Sequence, residues 1–162
     1  MRAALGQTLA LGQGTGTELQ NVAAPREPLH LVIVAAQFGL STPSVFKQLD
    51  ADRAAGEYPA SGELVEPVKL LEALNSYDGS EAALASLASL LRNDLQAPAL
   101  SCAPQLEQTL NLRESEGVYA SLVSGSGPTV LLLASSQDQA EALATSLRVA
   151  GHHAVATEVT ST

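Results

Sequence analysis

Short apolar runs, typical of strands, alternate along this chain with segments whose apolar residues are spaced as in helices. Two apolar runs, Val118–Val123 and Val130–Ala134, flank the small, turn-forming residues Ser-Gly-Ser-Gly-Pro-Thr, a pattern that predicts strand, tight loop and strand. The run at residues 29–36 is almost continuous and rich in β-branched residues, which predicts a central strand covered on both faces. Residues 154–159 alternate apolar and polar side chains, as an edge strand does.

Helices are predicted between these strands. Thr42 followed by Pro43 predicts a helix with Thr42 as its N-cap, and this helix should end near Gly56. Three further helices are predicted to begin at Pro67, Glu81 and Pro104, and a capping box of Ser136 and Gln139 starts the last one. Asn93, Asp94 and the residues after them should turn the chain before Pro98.

The order of elements predicts the fold class. Without its extra helices the chain contains strand, helix, strand, strand, helix and strand, which is the ferredoxin-like split β-α-β arrangement of the α+β class. This arrangement has a four-stranded antiparallel sheet covered by helices. The helices of residues 67–100 are then an insertion in the first crossover. With 162 residues the chain is long enough for one core, which we assign to residues 29–162.

Charge and composition exclude several classes of partner. The net charge is −9, and its 17 acidic and 8 basic residues are spread without blocks, so neither nucleic acid nor an anionic membrane is an expected partner. Cys102 is the only cysteine, which excludes an internal disulfide and fits a reducing cytoplasm. The adjacent His152 and His153 have no other ligand motif beside them, so no metal site is expected.

The loop of residues 124–129 is the strongest candidate for a binding site. Gly125 and Gly127 can adopt positive φ, so that successive N–H groups, those of Ser124 and Ser126 included, could surround an anion such as phosphate. A hairpin connection that uses glycine and proline only for geometry explains the same residues. The start of the Thr42 helix is a second potential anion site.

Three motifs together resemble one enzyme family. They are Gly-Leu-Ser-Thr-Pro-Ser-Val-Phe at residues 39–46, Asn-Asp-Leu-Gln at 93–96 and the loop at 124–129. In this order they resemble the C-terminal half of the 4-diphosphocytidyl-2-C-methyl-D-erythritol kinases, which belong to the GHMP kinase superfamily. Residues 6–19 are similar to the family's interdomain segment, although Thr15 stands where an arginine is usual. Residues 1–28 are therefore assigned as the remnant of that segment.

The resemblance implies a reaction and roles for residues. It implies transfer of the ATP γ-phosphoryl group, with Mg²⁺, to the 2-hydroxyl of the cytidine diphosphate-linked methylerythritol substrate, in non-mevalonate isoprenoid biosynthesis. The loop from Ser124 to Gly127 would border the phosphates, and Thr42 and Phe46 would bind substrate, with Phe46 beside the cytosine. Asn93 and Asp94 would hold a turn that faces the cleft.

The same resemblance implies that this sequence lacks the catalytic residues and the ATP-binding loop of the family. The family's catalytic aspartate and lysine and its Pro-x-x-x-Gly-Leu-Gly-Ser-Ser-Ala ATP loop belong to an N-terminal domain, and no such pattern occurs in this sequence. We therefore expect a truncated C-terminal domain that neither catalyses the reaction nor binds a cofactor alone. An uncovered domain interface could make it a homodimer.

Two other interpretations stay open at this point. The chain could belong to another GHMP kinase, of the homoserine or mevalonate type. It could also be a stand-alone ferredoxin-like domain that binds a small effector or mediates assembly, because this fold carries many functions.

Overall fold

A small hairpin begins the described part of the chain. The computed structural model describes residues 9–13, 17–56 and 67–160, so the motif at 6–19 and the predicted loop at 56–62 lie partly outside it. Strands β1 (Leu9–Gln13) and β2 (Glu18–Val22) pair antiparallel, with Leu11 opposite Gln20. This hairpin was not predicted, because residues 1–28 were assigned to a segment between domains.

The main sheet confirms the predicted fold class. Its strands are β3 (Leu29–Ala35), β4 (Val118–Val123), β5 (Val130–Ala134) and β6 (His153–Val159), in the order β4-β5-β3-β6. Every neighbouring pair is antiparallel. This is the split β-α-β sheet, with β3 in the centre and β6 at one edge as expected.

The helices follow the predicted order. They are α1 (Thr42–Ala54), α2 (Pro67–Ser76), α3 (Glu81–Leu90), α4 (Gln96–Cys102), α5 (Leu106–Leu110) and α6 (Gln137–Val149), with a 3₁₀ turn at Asn111–Glu114. Helices α2 and α3 form the predicted insertion of residues 67–100, and α5 corresponds to the helix predicted from Pro104. Helix α4 was not predicted, and it extends beyond that insertion to Cys102. No helix in the described ranges is both long and apolar enough to cross a bilayer.

The sheet has one fully covered face. Val32 and Val34 of β3 and Leu132 of β5 point toward α1, α4, α5 and α6, and they form the main core with side chains from these helices. The alternation of strand side chains places Leu29 and Leu133 on the opposite face, where α2 and α3 cover them. Leu84 and Leu87 of α3 are the buried residues of that helix.

The prediction that β3 is covered on both faces is right only for its first half. Ile33 is 36% exposed, and its cross-strand neighbour Val155 is 60% exposed. The reason is that α2 and α3 pack over the part of the sheet near Leu29 and leave the other part uncovered. A continuous apolar run does not reveal how far a neighbouring helix extends over it.

Two details at helix starts also differ from expectation. The N-cap of α1 is Ser41, whose hydroxyl accepts a hydrogen bond from the N–H of Ser44 at 3.4 Å, and Thr42 is already helical. Helix α4 begins before Pro98, at Gln96, which is tolerated because a first-turn N–H has no intrahelical partner. Ser136 is the N-cap of α6 as predicted, and its hydroxyl accepts a hydrogen bond from the N–H of Gln139 at 3.2 Å, whereas the side-chain amide of Gln139 donates to the carbonyl of Glu116.

Candidate functional site

Two backbone hydrogen bonds shape the loop between β4 and β5. The N–H of Ser124 donates to the carbonyl of Thr129 at 2.8 Å, and the N–H of Gly127 donates to the carbonyl of Ser124 at 2.9 Å. Gly125 has φ +57° and Gly127 has φ +78°, the left-handed values that the sequence predicts for them. The loop is therefore a closed hairpin connection.

These two hydrogen bonds use two of the backbone N–H groups of the loop, and the other N–H groups are left for a ligand. Ser124 and Gly127 use their N–H groups inside the loop, so they do not contribute donors to an anion site. Within the described residues, the N–H groups of Gly125 and Ser126 donate to no protein acceptor. The loop is therefore a hairpin connection, and of the four residues expected to form a concave site only Gly125 and Ser126 have amides that could serve an anion.

Helix α1 begins directly beside this loop. The hydroxyl oxygens of Thr42 and Ser126 lie 2.7 Å apart and share a hydrogen bond. Phe46 follows Thr42 by four residues, so it lies on the same side of α1, and its ring is 49% exposed. The structure therefore brings Thr42, Phe46 and the loop to one side of the molecule, although 84 residues separate Thr42 from Ser126.

Asn93 holds the loop in place. Its Nδ2 donates to the carbonyls of Val123 at 2.7 Å and Gly125 at 2.8 Å, and its Oδ1 accepts from the N–H of Leu95 at 3.0 Å. Asn93 thus positions the loop, and its amide is already engaged. Asp94 lies in the same turn and is exposed.

Gln96 is a positioning residue that the sequence analysis missed. Its Oε1 accepts from the N–H of Val123 at 3.0 Å, which satisfies the last backbone donor of β4. Gln96 belongs to the motif of residues 93–96, but only Asn93 and Asp94 of that motif were assigned roles. Its position after Asn93 was the signal available in the sequence.

Packing adds a second requirement for glycine at position 127. A Cβ atom there would lie 3.0 Å from Cγ1 of Val123 and 3.4 Å from Cδ2 of Leu40. Leu40 belongs to the segment that leads into α1, so the loop and the start of α1 are in close contact. By contrast, nothing lies within 4 Å of a Cβ atom built on Gly125.

Three groups with shifted pKa values lie away from this loop. The pKa of Tyr119 is raised by its hydrogen bond to Glu81, and the pKa of Asp78 is lowered by its hydrogen bonds with Ser80. Burial raises the pKa of Tyr77. None of these residues belongs to the loop or to α1. In the described part of the chain, no group of three or more His, Cys, Asp or Glu side chains is placed to hold a metal ion.

The sheet and its loop define an α+β domain of the split β-α-β class, with a candidate anion site at a hairpin. Residues 69–153 match the family described as GHMP kinases C terminal. The chain belongs to this family.

Named relatives and one solved structure extend the comparison. The chain is 44% identical over 144 residues to a 4-diphosphocytidyl-2-C-methyl-D-erythritol kinase of Corynebacterium jeikeium, covering 88% of this chain and 38% of that relative. It is 45% identical over 142 residues to the enzyme of that name from Nocardia farcinica, covering 88% and 43%. A crystal structure of 4-(cytidine 5'-diphospho)-2C-methyl-D-erythritol kinase superposes with a TM-score of 0.70 at 25% identity, over 94% of this chain and 50% of that one.

The chain therefore spans less than half the length of these two curated relatives.

Proposed function

We propose that the chain forms the substrate-binding wall of an ATP-dependent kinase acting on 4-diphosphocytidyl-2-C-methyl-D-erythritol. The reaction is transfer of the ATP γ-phosphoryl group to the 2-hydroxyl of that substrate. The observation that carries the proposal is the hydrogen bond between Thr42 and Ser126, because it joins the start of α1 to the glycine loop. The relatives that carry the name of this kinase support the choice of substrate.

We propose a role for each group on this wall. The N–H groups of Gly125 and Ser126 are the donors available to phosphate oxygens. Phe46 offers an exposed aromatic face about one helical turn from Thr42, a suitable platform for stacking on cytosine. Asn93 and Gln96 keep the loop in position from behind.

Phosphoryl transfer depends mainly on positioning and on stabilisation of charge, and this wall is suited to the first of these. ATP supplies the phosphoryl group when it is bound. The described residues offer no metal ligand set, so no step is assigned to Mg²⁺ on this wall. We propose that the groups which move the proton and neutralise the phosphates belong to another part of the enzyme.

Titration of the ¹⁵N-labelled chain with the cytidyl substrate tests this proposal. We expect saturable shifts of the Gly125 and Ser126 amide resonances. Phe46→Leu should weaken binding about fivefold because the stacking ring is lost, whereas Phe46→Tyr should stay within about twofold. Addition of ATP to the same sample should give no turnover above background.

Each other outcome has a definite meaning. Loop shifts with homoserine or mevalonate, and none with the cytidyl substrate, would assign the chain to another GHMP kinase. Equal binding by the Leu and Tyr variants would remove Phe46 from the site. Turnover by the chain alone would contradict the proposal that the groups which move the proton and neutralise the phosphates belong to another part of the enzyme.

A further inference from the structure

A second cleft lies on the outer side of β4. Its volume is about 350 Å³, near the lower end of the range for small-molecule sites. It lies between the end of α3, the start of α4, the 3₁₀ turn and strand β4. Within the described sheet, β4 pairs only with β5, so β4 is an edge strand.

Positive charge is concentrated in this cleft. Arg92 and Arg113 line it, and they are two of the eight basic residues in a chain whose net charge is −9. Among the described residues that line the cleft there is no carboxylate. Two guanidinium groups beside a cleft that no carboxylate lines in the described part of the chain are suited to binding an anion.

The other polar groups of the cleft are mainly donors or are already occupied. Arg113 makes no polar contact within the described residues, so its five N–H groups remain available. Gln96 uses its Oε1 for the N–H of Val123, which leaves its Nε2 as a donor. Ser121 donates its hydroxyl to the carbonyl of Leu110 at 2.6 Å. An anion matches this set of donors better than a cation does.

The walls of the cleft combine aliphatic side chains with a tyrosine ring that a hydrogen bond holds in place. Leu91 and Leu122 contribute aliphatic surface. The register of β4 against β5 shifts between Val118 and Ala120, which leaves Tyr119 at a bulge on the cleft wall. The hydroxyl of Tyr119 donates to Glu81 at 2.5 Å, which holds the ring in one orientation. This combination fits a phosphate group attached to a short carbon skeleton.

We propose that this cleft is a binding site for a small phosphorylated organic anion, held mainly by Arg113, with the guanidinium of Arg92 adding positive charge beside it. The cleft shares Asn93 and Gln96 with the residues that hold the glycine loop, but Gly125 and Ser126, which carry the available loop donors, do not line it. The proposal does not depend on the kinase function proposed above.

Inorganic pyrophosphate is the probe, titrated into the ¹⁵N-labelled chain at constant ionic strength. We expect saturable shifts at Arg113, Ala120 and Leu122. Arg113→Gln should weaken the affinity measured from these shifts at least tenfold, and Arg113→Lys should restore part of it. The control is Arg53→Gln, which removes the same charge from the exposed last turn of α1 and should change the affinity less than twofold.

The outcomes separate this site from the loop. Shifts confined to Gly125 and Ser126, and unchanged in Arg113→Gln, would overturn the cleft proposal and leave the loop intact. Linear, unsaturable shifts or an equal loss in Arg53→Gln would overturn it as well. Because Arg113 is exposed and makes no polar contact in the described residues, its variants should fold, and the dispersion of the same spectra verifies this.

Discussion

At the residue scale, Asn93 connects two distant parts of the chain. It lies just before α4 and bonds to the carbonyls of Val123 and Gly125, which are 30 and 32 residues away. Both amide hydrogens and the amide oxygen are used, so a substituted side chain cannot easily reproduce these bonds. Asn93 therefore matters for the shape of the loop before any ligand is present.

Asn93→Ala should lower the free energy of unfolding by about 2 kcal/mol, because three backbone groups lose their partner and two of these hydrogen bonds are partly buried. Urea unfolding followed by circular dichroism measures this change. Asn75→Ala, at an exposed position of α2, is the matched control and should stay within about 0.5 kcal/mol of wild type. Equal effects of the two variants would mean that the Asn93 bonds do not stabilise the fold.

At the element scale, the β4–β5 hairpin uses its two glycines for different reasons. Gly125 needs its positive φ only, since a Cβ atom there would meet nothing within 4 Å. Gly127 needs its positive φ and also the space that separates it from Val123 and Leu40. The loop is consequently fixed by packing at its Gly127 side and open at its Gly125 side, where the available amides lie.

Gly125→Ala should therefore cost about 1 kcal/mol of stability, the usual penalty for an L residue with left-handed φ. Gly127→Ala should cost about 2 to 3 kcal/mol, because the new methyl group also crowds Val123 at 3.0 Å. Thermal and urea unfolding of both variants measure the difference. If Gly127→Ala were the milder change, the close packing between the loop and Leu40 would be refuted.

At the scale of the whole molecule, the sheet is unequal on its two faces. Leu132 is completely buried in the main core, whereas Ile33, on the opposite face, is 36% exposed. Helices α1, α4, α5 and α6 cover one face, and α2 and α3 cover only part of the other. Most of the stabilising burial is therefore on the α1 and α6 side.

Leu132→Ala should lower the free energy of unfolding by about 3 kcal/mol through lost burial and the cavity left behind. Ile33→Ala removes a side chain of similar size and should cost about 1 kcal/mol, since part of that side chain already contacts water. Urea unfolding compares the two. A larger loss for Ile33→Ala would show that its face is covered in solution.

The local pattern determined a large part of this protein. The bounds of β4 and β5, the split β-α-β order and the insertion of helices before β4 follow from apolar periodicity and turn residues, and all of them are confirmed. Thr42 and the loop were both identified as candidate anion sites from their own neighbours. Periodicity and turn chemistry depend on residues that are close together in the chain, so they can be recognised from the sequence alone.

Only the tertiary structure decided how these pieces meet. It showed that Thr42 bonds to Ser126, that Asn93 and Gln96 hold the end of β4, and that two loop amides are used internally. It also placed Arg92 and Arg113 in one cleft. These contacts join residues that are far apart in the chain, and they depend on the angles at which whole elements pack. No local pattern encodes those angles, because they result from the sum of many weak contacts in the core.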